Sequence, residues 1–467
     1  MGTEAVVWVV ALAVAPAAVM TAYGLGSRGK RFYALAAASA CLLAILAPAP
    51  LAFYFFAPRF RDFSAVLESS LAHPLGPLPF VLVPFAATLW VLTVLVTPAG
   101  RLDEASLART AMVCLLTMGS FLTASPWLLV FFWALTVVMY VAGHGGPHFN
   151  GARRVAVVYM GLSTVLLAAG VVAAASGSGR SGQIEQIGVG LILAAALIRQ
   201  GIFPFHAWIP EIFDRGRIGP ASIFSAPQMG TYVALILVVP HCSPALLRAA
   251  AVLGLITALY AVFLALYQTD ARRTCGYLFV SQSALVVAGL DLPSPEALVG
   301  ALILWVSSGL ALAGLSRCVL VLEARRGRLS LDRFHGGYER MPILAACFLI
   351  LSLAIMGFPV TLGFVGEEML VRGAVDSFPG LGLSVVAAGA LTGLVVMRMY
   401  FSLFCGRRRT GARLRMLRTE GLGFSIAALL LLGFGMAPAK LVRLLDRAGA
   451  AVMQSREAVM PDMQKLE

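Results

Sequence analysis

The chain alternates between long apolar blocks and short polar connections along its whole length. A helix that crosses a membrane needs about 20 mostly apolar residues, and 14 blocks of 18 residues or more approach or exceed that length. The predicted spans are residues 5–24, 32–56, 77–97, 107–124, 126–143, 154–176, 187–208, 219–239, 247–267, 274–291, 297–322, 342–370, 381–404 and 421–438. This pattern predicts an all-α integral membrane protein with about 14 transmembrane helices.

The composition agrees with lipid as the main solvent of the chain. Hydrophobic residues make up 60% of the sequence and charged residues only 12%, about half of the roughly 25% found in soluble proteins. The first apolar block is expected to be a membrane helix rather than a cleaved leader, because only Glu4 and no basic residue precedes it. We therefore expect a multi-pass protein in contact with the lipid bilayer.

The net charge of +13 follows the loops of this predicted topology. Most Lys and Arg residues lie in the loops after odd-numbered spans, and the two richest loops, after spans 11 and 13, hold five and six of them. Cytoplasmic loops of membrane proteins carry such an excess, so we do not expect a nucleic-acid partner. The bias predicts that both termini lie outside, in a prokaryotic inner (cytoplasmic) membrane.

The residue types that bind metals or cofactors show no matching pattern. The seven cysteines are scattered without a CxxC pair, and the six histidines lack the spacing of metal ligands. The sequence also contains no Walker loop and no arrangement of a nucleophile with His and an acid. We expect no catalytic site, cofactor or metal within this chain.

Two predicted spans are interrupted by helix-breaking residues. Span 7 contains Pro204, and span 12 contains Pro359 followed by Gly363 and Gly366. Proline removes a backbone donor and clashes with the preceding turn, and such breaks persist in a bilayer only when they are buried in protein or line a cavity. Two broken helices five spans apart indicate an inverted repeat of spans 4–8 and 9–13. The alternative is a packing kink in each helix.

Four motifs, in a consistent order and spacing, resemble one known family. They are IRQGIFPFHAWIP at residues 198–210, GPAS and MGTY within 219–232, DARR followed by Tyr277, Ser281 and Gln282 at 270–282, and GFVGE at 363–367. The stretch from about residue 110 to 405 is similar to the antiporter-like proton-channel subunits of respiratory complex I, membrane-bound hydrogenases and Mrp antiporters. The resemblance implies 14 helices, two inverted five-helix repeats, discontinuous helices 7 and 12, and a polar axis at mid-membrane.

The resemblance also implies expectations for individual positions. The family pairs a Glu in helix 5 with a Lys in helix 7, and places further ionisable residues in helices 8, 11 and 12. In this chain the Lys position holds Arg199, which keeps the charge but cannot release a proton; it can gate, or hold an anion. The other positions hold Ala134, Gln228, Ser308, Leu312 and the retained Glu367, which is followed by Glu368.

Six residues are therefore candidates for the ion pathway: Arg199, His206, Gln228, Ser308, Glu367 and Glu368. A mid-span charge costs roughly 2.5–3.5 kcal/mol on insertion scales, so Arg199 is expected to face a cavity or an acid. His206 could instead cap the broken helix, and Gln228 could be a packing residue. Both glutamates could lie at the outer interface, and Arg317 and Arg398 are expected to snorkel from helix ends.

The expected organisation divides the chain into four parts: residues 1–106 with helices 1–3, residues 107–239 as the first repeat, residues 247–404 as the second repeat, and residues 421–467 with helix 14 and a short tail. The function implied by the resemblance is proton or sodium translocation as a membrane subunit of a complex I-like or Mrp-like assembly, such as an NADH-quinone oxidoreductase-type translocase. An alternative is a divergent subunit that anchors a soluble peripheral partner, as in bicarbonate-accumulating complexes with a carbonic-anhydrase-like protein.

Overall fold

The fold is built from α-helices. A computed structural model of the chain describes residues 14, 16–26, 29–46, 75–98, 104–143, 150–177, 182–291, 294–377, 379–406 and 416–463. Within these ranges the secondary structure is helical, apart from one isolated bridge between Asp270 and Ser330. The all-α expectation is confirmed for the described part of the chain, while much of the first two predicted spans lies outside it.

The helices follow the predicted spans closely. Residues 16–24 are helical. The helices that follow are α1 Lys30–Leu46, α2 Pro79–Val96, α3 Glu104–Phe121, α4 Pro126–Ala142, α5 Asn150–Gly177, α6 Gly182–Gln200, α7 Trp208–Arg215, α8 Ile218–Ser225, α9 Met229–Val233, α10 Pro244–Tyr267, α11 Ala271–Asp291, α12 Pro295–Arg326, α13 Pro342–Ile355, α14 Leu362–Ser377, α15 Pro379–Phe404, α16 Arg418–Met436 and α17 Ala439–Met463. A 3₁₀ turn, Phe205–Ala207, precedes α7, and a π-helical turn, Ala234–Val238, continues α9.

Length and hydropathy support fewer spans than the sequence pattern predicted. In the described residues, seven helical segments are long and apolar enough to cross a membrane, and the pair 184–200 and 205–215, bent by 43°, makes an eighth. Helices α4 and α13 are apolar but have only 17 and 14 residues. The total of 14 spans and the inverted repeat therefore remain predictions.

Helix α12 lies at the centre of the bundle. It has 32 residues, and 94% of its most apolar stretch is buried within the chain. It packs against α2, α8, α11, α13, α14, α16 and α17. α12 is about 48 Å long, which exceeds the roughly 30 Å thickness of a bilayer core, so it is long enough to cross the membrane completely.

Two helices end in the same way inside the bundle. Gly201 follows α6 with a φ of +71°, and Gly357 follows α13 with a φ of +66°. In both cases the next residue donates its N–H to the carbonyl five positions back, Ile202 to Leu197 at 3.0 Å and Phe358 to Leu353 at 2.9 Å. This is a Schellman cap, which favours glycine at the left-handed position. Pro204 and Pro359 lie in the turns that follow these glycines.

The glycines after the second break do not break a helix. Gly363 and Gly366 lie inside α14, so the prediction that they interrupt it is wrong. Both permit close packing instead: a Cβ on Gly363 would overlap the Ala354 carbonyl, and one on Gly366 would lie 2.8 Å from the Leu304 nitrogen. Membrane helices use small residues for such contacts. In the sequence alone, a glycine used for close packing cannot be distinguished from a glycine that breaks a helix.

A third break interrupts predicted span 8. Helix α8 ends at Ser225 and α9 begins at Met229, with Gln228 between them in the left-handed conformation (φ 46°, ψ 53°). This conformation costs roughly 1–2 kcal/mol in a non-glycine residue. The sequence signal for this break is Pro227. It precedes Gln228, which is hydrogen-bonded to Gln200 and Thr231.

Buried ion pairs hold helices together near the C-terminal end of α12. Arg272 pairs with Glu323 at 2.5 Å, and Arg325 pairs with Glu420 at 2.6 Å. Both carboxylates are about 1% exposed. The first pair joins α11 to α12 and the second joins α12 to α16, so both pairs tie α12 to a neighbouring helix.

Candidate functional site

Arg199 is buried in the interior of the bundle, in the last turn of α6. Its side chain is 5% exposed, and its guanidinium carbon lies 4.4 Å from the ring centre of Trp133 and 4.5 Å from that of Phe224. The Nη2 group donates to the Thr136 hydroxyl at 3.0 Å, which in turn donates to the Trp133 carbonyl at 2.7 Å. Arg199 therefore faces the interior, as expected, and does not reach toward lipid headgroups.

The charge of Arg199 is stabilised without a carboxylate. Among the described residues no acid pairs with it, and its Nη1 group makes no hydrogen bond. Each desolvated cation–π contact contributes about 2 kcal/mol, so the two rings together offset an insertion cost of roughly 2.5–3.5 kcal/mol. Its position at the negative end of the α6 dipole adds to this stabilisation.

The contacts of Arg199 come from Trp133 and Thr136 rather than from Ala134. Ala134 is only partly buried, whereas Trp133 and Thr136 lie on the buried face of α4. The position that the resemblance assigns to an acid thus holds a small apolar residue, and the aromatic and hydroxyl groups beside it contact the cation instead.

A polar cluster connects the first break to the third. The Gln200 amide nitrogen donates to the Gln228 carbonyl at 3.2 Å and to the Thr231 hydroxyl. Thr231 donates to the Gln228 side-chain oxygen at 3.2 Å, and Ser283 donates to the Gln200 carbonyl at 2.8 Å. Gln228 is therefore part of a buried hydrogen-bonded group next to Arg199.

His206 lies at the rim of the first break. It is half-buried, its ring stacks on Phe203 with centres 6.0 Å apart, and it meets Tyr260 edge-on at 5.2 Å. Its Nδ1 atom has no hydrogen-bond partner among the described residues. The Ile198 carbonyl at the break accepts from the Gly201 N–H at 3.1 Å and from the Trp208 indole at 2.9 Å. His206 does not cap the broken helix.

Helix α12 continues the polar region from the third break. The Trp305 indole donates to the Pro227 carbonyl at 3.0 Å, and a Cβ on Gly309 would lie 2.8 Å from the Ala226 carbonyl. Ser308, between these two positions, is buried and its hydroxyl makes no hydrogen bond to a described residue. The predicted Ser308 position is therefore an uncompensated polar group next to the break at Gln228.

Glu367 lies beside the second break. Its carboxylate is in contact with two glycines, because a Cβ on Gly357 or Gly389 would lie 2.8 or 3.0 Å from its carboxyl carbon. No described residue donates a hydrogen bond to it or forms an ion pair with it. Gly357 belongs to the break and Gly389 belongs to α15. Because neither glycine has a side chain, the Glu367 carboxylate fits into the space between them.

Glu368 differs from Glu367 in its surroundings. It pairs with Arg372 at 2.5 Å, and the two side chains are 41% and 67% exposed. This pair lies on the outer side of α14, which argues against a place for Glu368 in an interior pathway.

A second buried arginine was misread from the sequence. Arg317 is 0% exposed and does not snorkel from a helix end. Its Nη1 group donates to the Ala313 carbonyl at 2.9 Å and its Nη2 group to the Thr93 hydroxyl at 2.5 Å. The reason for the difference is that α12 extends nine residues beyond Arg317 and is surrounded by other helices.

The amino-acid sequence of the chain matches one known protein family. The family model for the transmembrane region of NADH:quinone oxidoreductase and Mrp antiporter subunits matches residues 153–392, just over half of the chain. The chain belongs to this family. The matched region contains Arg199, α12, Glu367 and the two helix breaks that follow Gly201 and Gly357. The family assignment therefore covers the candidate site.

Individual relatives agree with the family. The chain is 28% identical over 378 residues to NAD(P)H-quinone oxidoreductase chain 4 1 of Synechococcus sp. (strain JA-3-3Ab), covering 74% of this chain and 72% of that protein. Several other quinone oxidoreductase subunits are matched over about half of their length.

Solved structures share the whole fold. A chain of respiratory complex I from Thermus thermophilus with bound NADH superposes with a TM-score of 0.82 at 20% identity, covering 96% of this chain and 99% of that one. A chain of the Mrp complex from Dietzia sp. DQ12-45-1b gives a TM-score of 0.83 at 16% identity, covering both chains completely. The protein is thus an antiporter-like, membrane-embedded, multi-pass subunit whose fold matches subunits of multi-subunit membrane complexes.

Proposed function

We propose that this protein takes part in proton translocation, or sodium translocation, as a membrane subunit of a complex I-like or Mrp-like assembly. The observation that carries the proposal is the presence of a buried cation, Arg199, and a half-buried acid, Glu367, each beside a helix break that contains a glycine and a proline. A buried charge in a membrane span marks an ion or proton path by default. We further propose the 14-helix inverted repeat, and a prokaryotic cytoplasmic membrane with both termini outside.

A continuous set of contacts supports communication between the two charges. Arg199 packs against α9, since a Cβ on Gly230 would lie 3.4 Å from Cβ of Arg199. The break before α9 packs on α12 through Trp305, and α12 packs on α14 through Gly300 and Gly366. Glu367 follows Gly366 directly, so a shift of either break is transmitted to the other through α12.

The two charges have different proposed roles. Arg199 retains its charge at all physiological pH values and lies next to the polar cluster of Gln200 and Gln228, with Ser308 continuing that polar lining along α12. Glu367 is a carboxyl that can bind and release a proton. His206 is the remaining titratable candidate, at the rim of the first break.

Ion flux in liposomes tests the proposal. The full chain, with its copurifying subunits, is reconstituted, and proton or sodium uptake is followed with an ion-sensitive dye under an imposed potential. We expect Arg199→Ala and Glu367→Gln each to lower the flux at least tenfold. Glu368→Gln is the matched control and should retain it. Unchanged flux in both Arg199→Ala and Glu367→Gln would remove the role proposed for these residues.

The similar proteins described above do not support the alternative role. They are quinone oxidoreductase and Mrp subunits, and they give no support for anchoring a carbonic-anhydrase-like partner or for inorganic carbon transport. A partner assembly of membrane subunits is therefore the arrangement that we propose.

A further inference from the structure

The last two helices form an elbow that encloses an apolar groove. Helix α16 ends at Met436 and α17 begins at Ala439. The groove between them has a volume of about 540 Å³, within the range of about 300–1,000 Å³ that is usual for ligand sites. Its lining residues are Leu429, Leu430, Gly433, Phe434, Ala437, Ala439, Lys440 and Arg443. The α16 side is apolar, and the α17 side carries two cations.

Helix α17 is amphipathic. Its apolar face, with Leu441, Leu444 and Leu445, is buried against the bundle, and its exposed face carries Lys440 and Arg443. The two cations therefore lie at the surface of the protein, where they border the groove.

The position of α17 places these cations on the less basic face of the protein. Gly449 packs on Leu298 and Val299, in the first turns of α12, whereas the ion pairs of Arg272 and Arg325 lie near the other end of α12. The basic residues of α17 thus depart from the charge bias of the loops.

Two cationic side chains line one end of the groove. Lys440 and Arg443 both border it, and Nε of Arg443 donates to the Ala439 carbonyl at 3.2 Å. Asp446 is the only carboxylate between residues 440 and 447, and it lies near Glu296 of α12, since burial and then the negative charge of Glu296 raise its pKa.

We propose that the elbow binds one anionic phospholipid, with an acyl chain along Leu429, Leu430 and Phe434 and the phosphate at Lys440 and Arg443. The combination of an apolar channel with cations at one end matches the two chemical parts of such a lipid. The elbow also touches the second helix break, because a Cβ on Gly435 would overlap the Val360 carbonyl. A lipid at this position would therefore support the break beside Glu367. The binding site itself does not depend on the proposed function.

Photo-crosslinking of lipids tests the site directly. The full chain in nanodiscs is exposed to phosphatidylglycerol or phosphatidylcholine with a diazirine on the acyl chain, and labelled peptides are identified by mass spectrometry. We expect residues 429–437 to be labelled at least fivefold more by phosphatidylglycerol. In the double variant Lys440→Gln/Arg443→Gln this ratio should fall to near one, whereas in Arg153→Gln/Arg154→Gln, which removes two exposed charges from α5, it should not change.

A steric variant keeps the test independent of charge. Gly433 has open space where a Cβ would be, so Gly433→Leu should fill the groove without disturbing the protein and lower labelling by both lipids at least fivefold. Gly161→Leu, at an equally open glycine of α5, is the control. Equal labelling by the two lipids in the unmodified protein would overturn the proposal. So would capture of a copurifying subunit, rather than lipid, by a photoreactive amino acid in place of Gly433.

Discussion

The hydroxyl of Thr136 lies 3.0 Å from a terminal nitrogen of Arg199 and is the only hydrogen-bond partner of this guanidinium within the described part of the chain. Arg317 is held in the same way, by the hydroxyl of Thr93. Each threonine donates in turn to a carbonyl of its own helix, Thr136 to Trp133 and Thr93 to Leu89. Two buried cations are therefore fixed by threonine hydroxyls instead of carboxylates.

Removal of the Thr136 hydroxyl should disturb Arg199 without changing the volume of the side chain. Loss of a hydrogen bond to a charged group costs about 1.5–3 kcal/mol, so Thr136→Val should lower the ion flux severalfold. The flux in liposomes measures this. Thr164→Val is the control, because the Thr164 hydroxyl bonds only to the Met160 carbonyl of its own helix; an equal loss of flux in both variants would contradict a specific role for Thr136.

The corresponding change at Thr93 should act on stability. Arg317 packs α12 against α2, and Thr93→Val leaves a buried Nη2 group unpaired, so we expect a loss of about 1.5–3 kcal/mol in unfolding free energy. Denaturation in mixed micelles measures it. Unchanged stability would mean that Arg317 finds another acceptor in the interior.

Exchange of Arg199 for lysine should make the flux depend on pH. A buried lysine without an acid partner has a lowered pKa, in some proteins to about 5–6, and is charged only below that pKa. The flux of Arg199→Lys, relative to the unmodified protein, should therefore be highest in acid and fall as the pH rises, when measured from about pH 5 to 9. A ratio that stays constant over this range would show that the lysine keeps its charge, and hence that a counter-charge is present.

Filling the space next to Glu367 should displace its carboxylate. A Cβ on Gly389 would overlap that carboxylate, whereas one on Gly380 of the same helix meets nothing within 4 Å. We expect Gly389→Ala to lower the flux about as much as Glu367→Gln and Gly380→Ala to leave it unchanged. If Gly389→Ala folds and transports normally, the position of Glu367 between the two glycines is not important for transport.

The buried ion pairs on α12 should matter more for stability than the exposed pair on α14. Breaking a buried pair by removing one partner costs about 3–5 kcal/mol, and an exposed pair contributes about 0–1 kcal/mol. Glu323→Gln should therefore destabilise the protein strongly, whereas Glu368→Gln should not, as measured by thermal unfolding in detergent. Similar unfolding temperatures for the two variants would contradict the burial of the Arg272–Glu323 pair.

The sequence predicts the helix breaks better than the partners of the charged residues. Pro204 and Pro359 mark two breaks because proline acts locally, through its own backbone. Gly363 and Gly366 were misleading, since glycine serves both turns and close helix packing, and only the neighbouring helix distinguishes the two. The break before Gln228 had a local signal in Pro227, but its left-handed conformation depends on contacts with Gln200 and Thr231.

The surroundings of the arginines could not be read from the sequence for a similar reason. That Arg199 faces the interior follows from the cost of exposing its charge to lipid. That Trp133, Phe224 and Thr136 surround it depends on how α4, α6 and α8 meet in three dimensions. Arg317 shows the same limit, because hydropathy reports that a residue is near a helix end but not that other helices enclose it.

The charge of Arg199, which pairs with no described carboxylate, should affect how readily other cations approach it. A cation 5 Å from it, at an effective dielectric constant of about 20, is repelled by about 3 kcal/mol, which lowers the occupancy of that position more than a hundredfold. A carboxylate beside the arginine would cancel this repulsion. The described residues place no carboxylate there, so under the proposed transport role we expect the protein to resist passive leakage of Na⁺ or hydronium whenever transport is not driven.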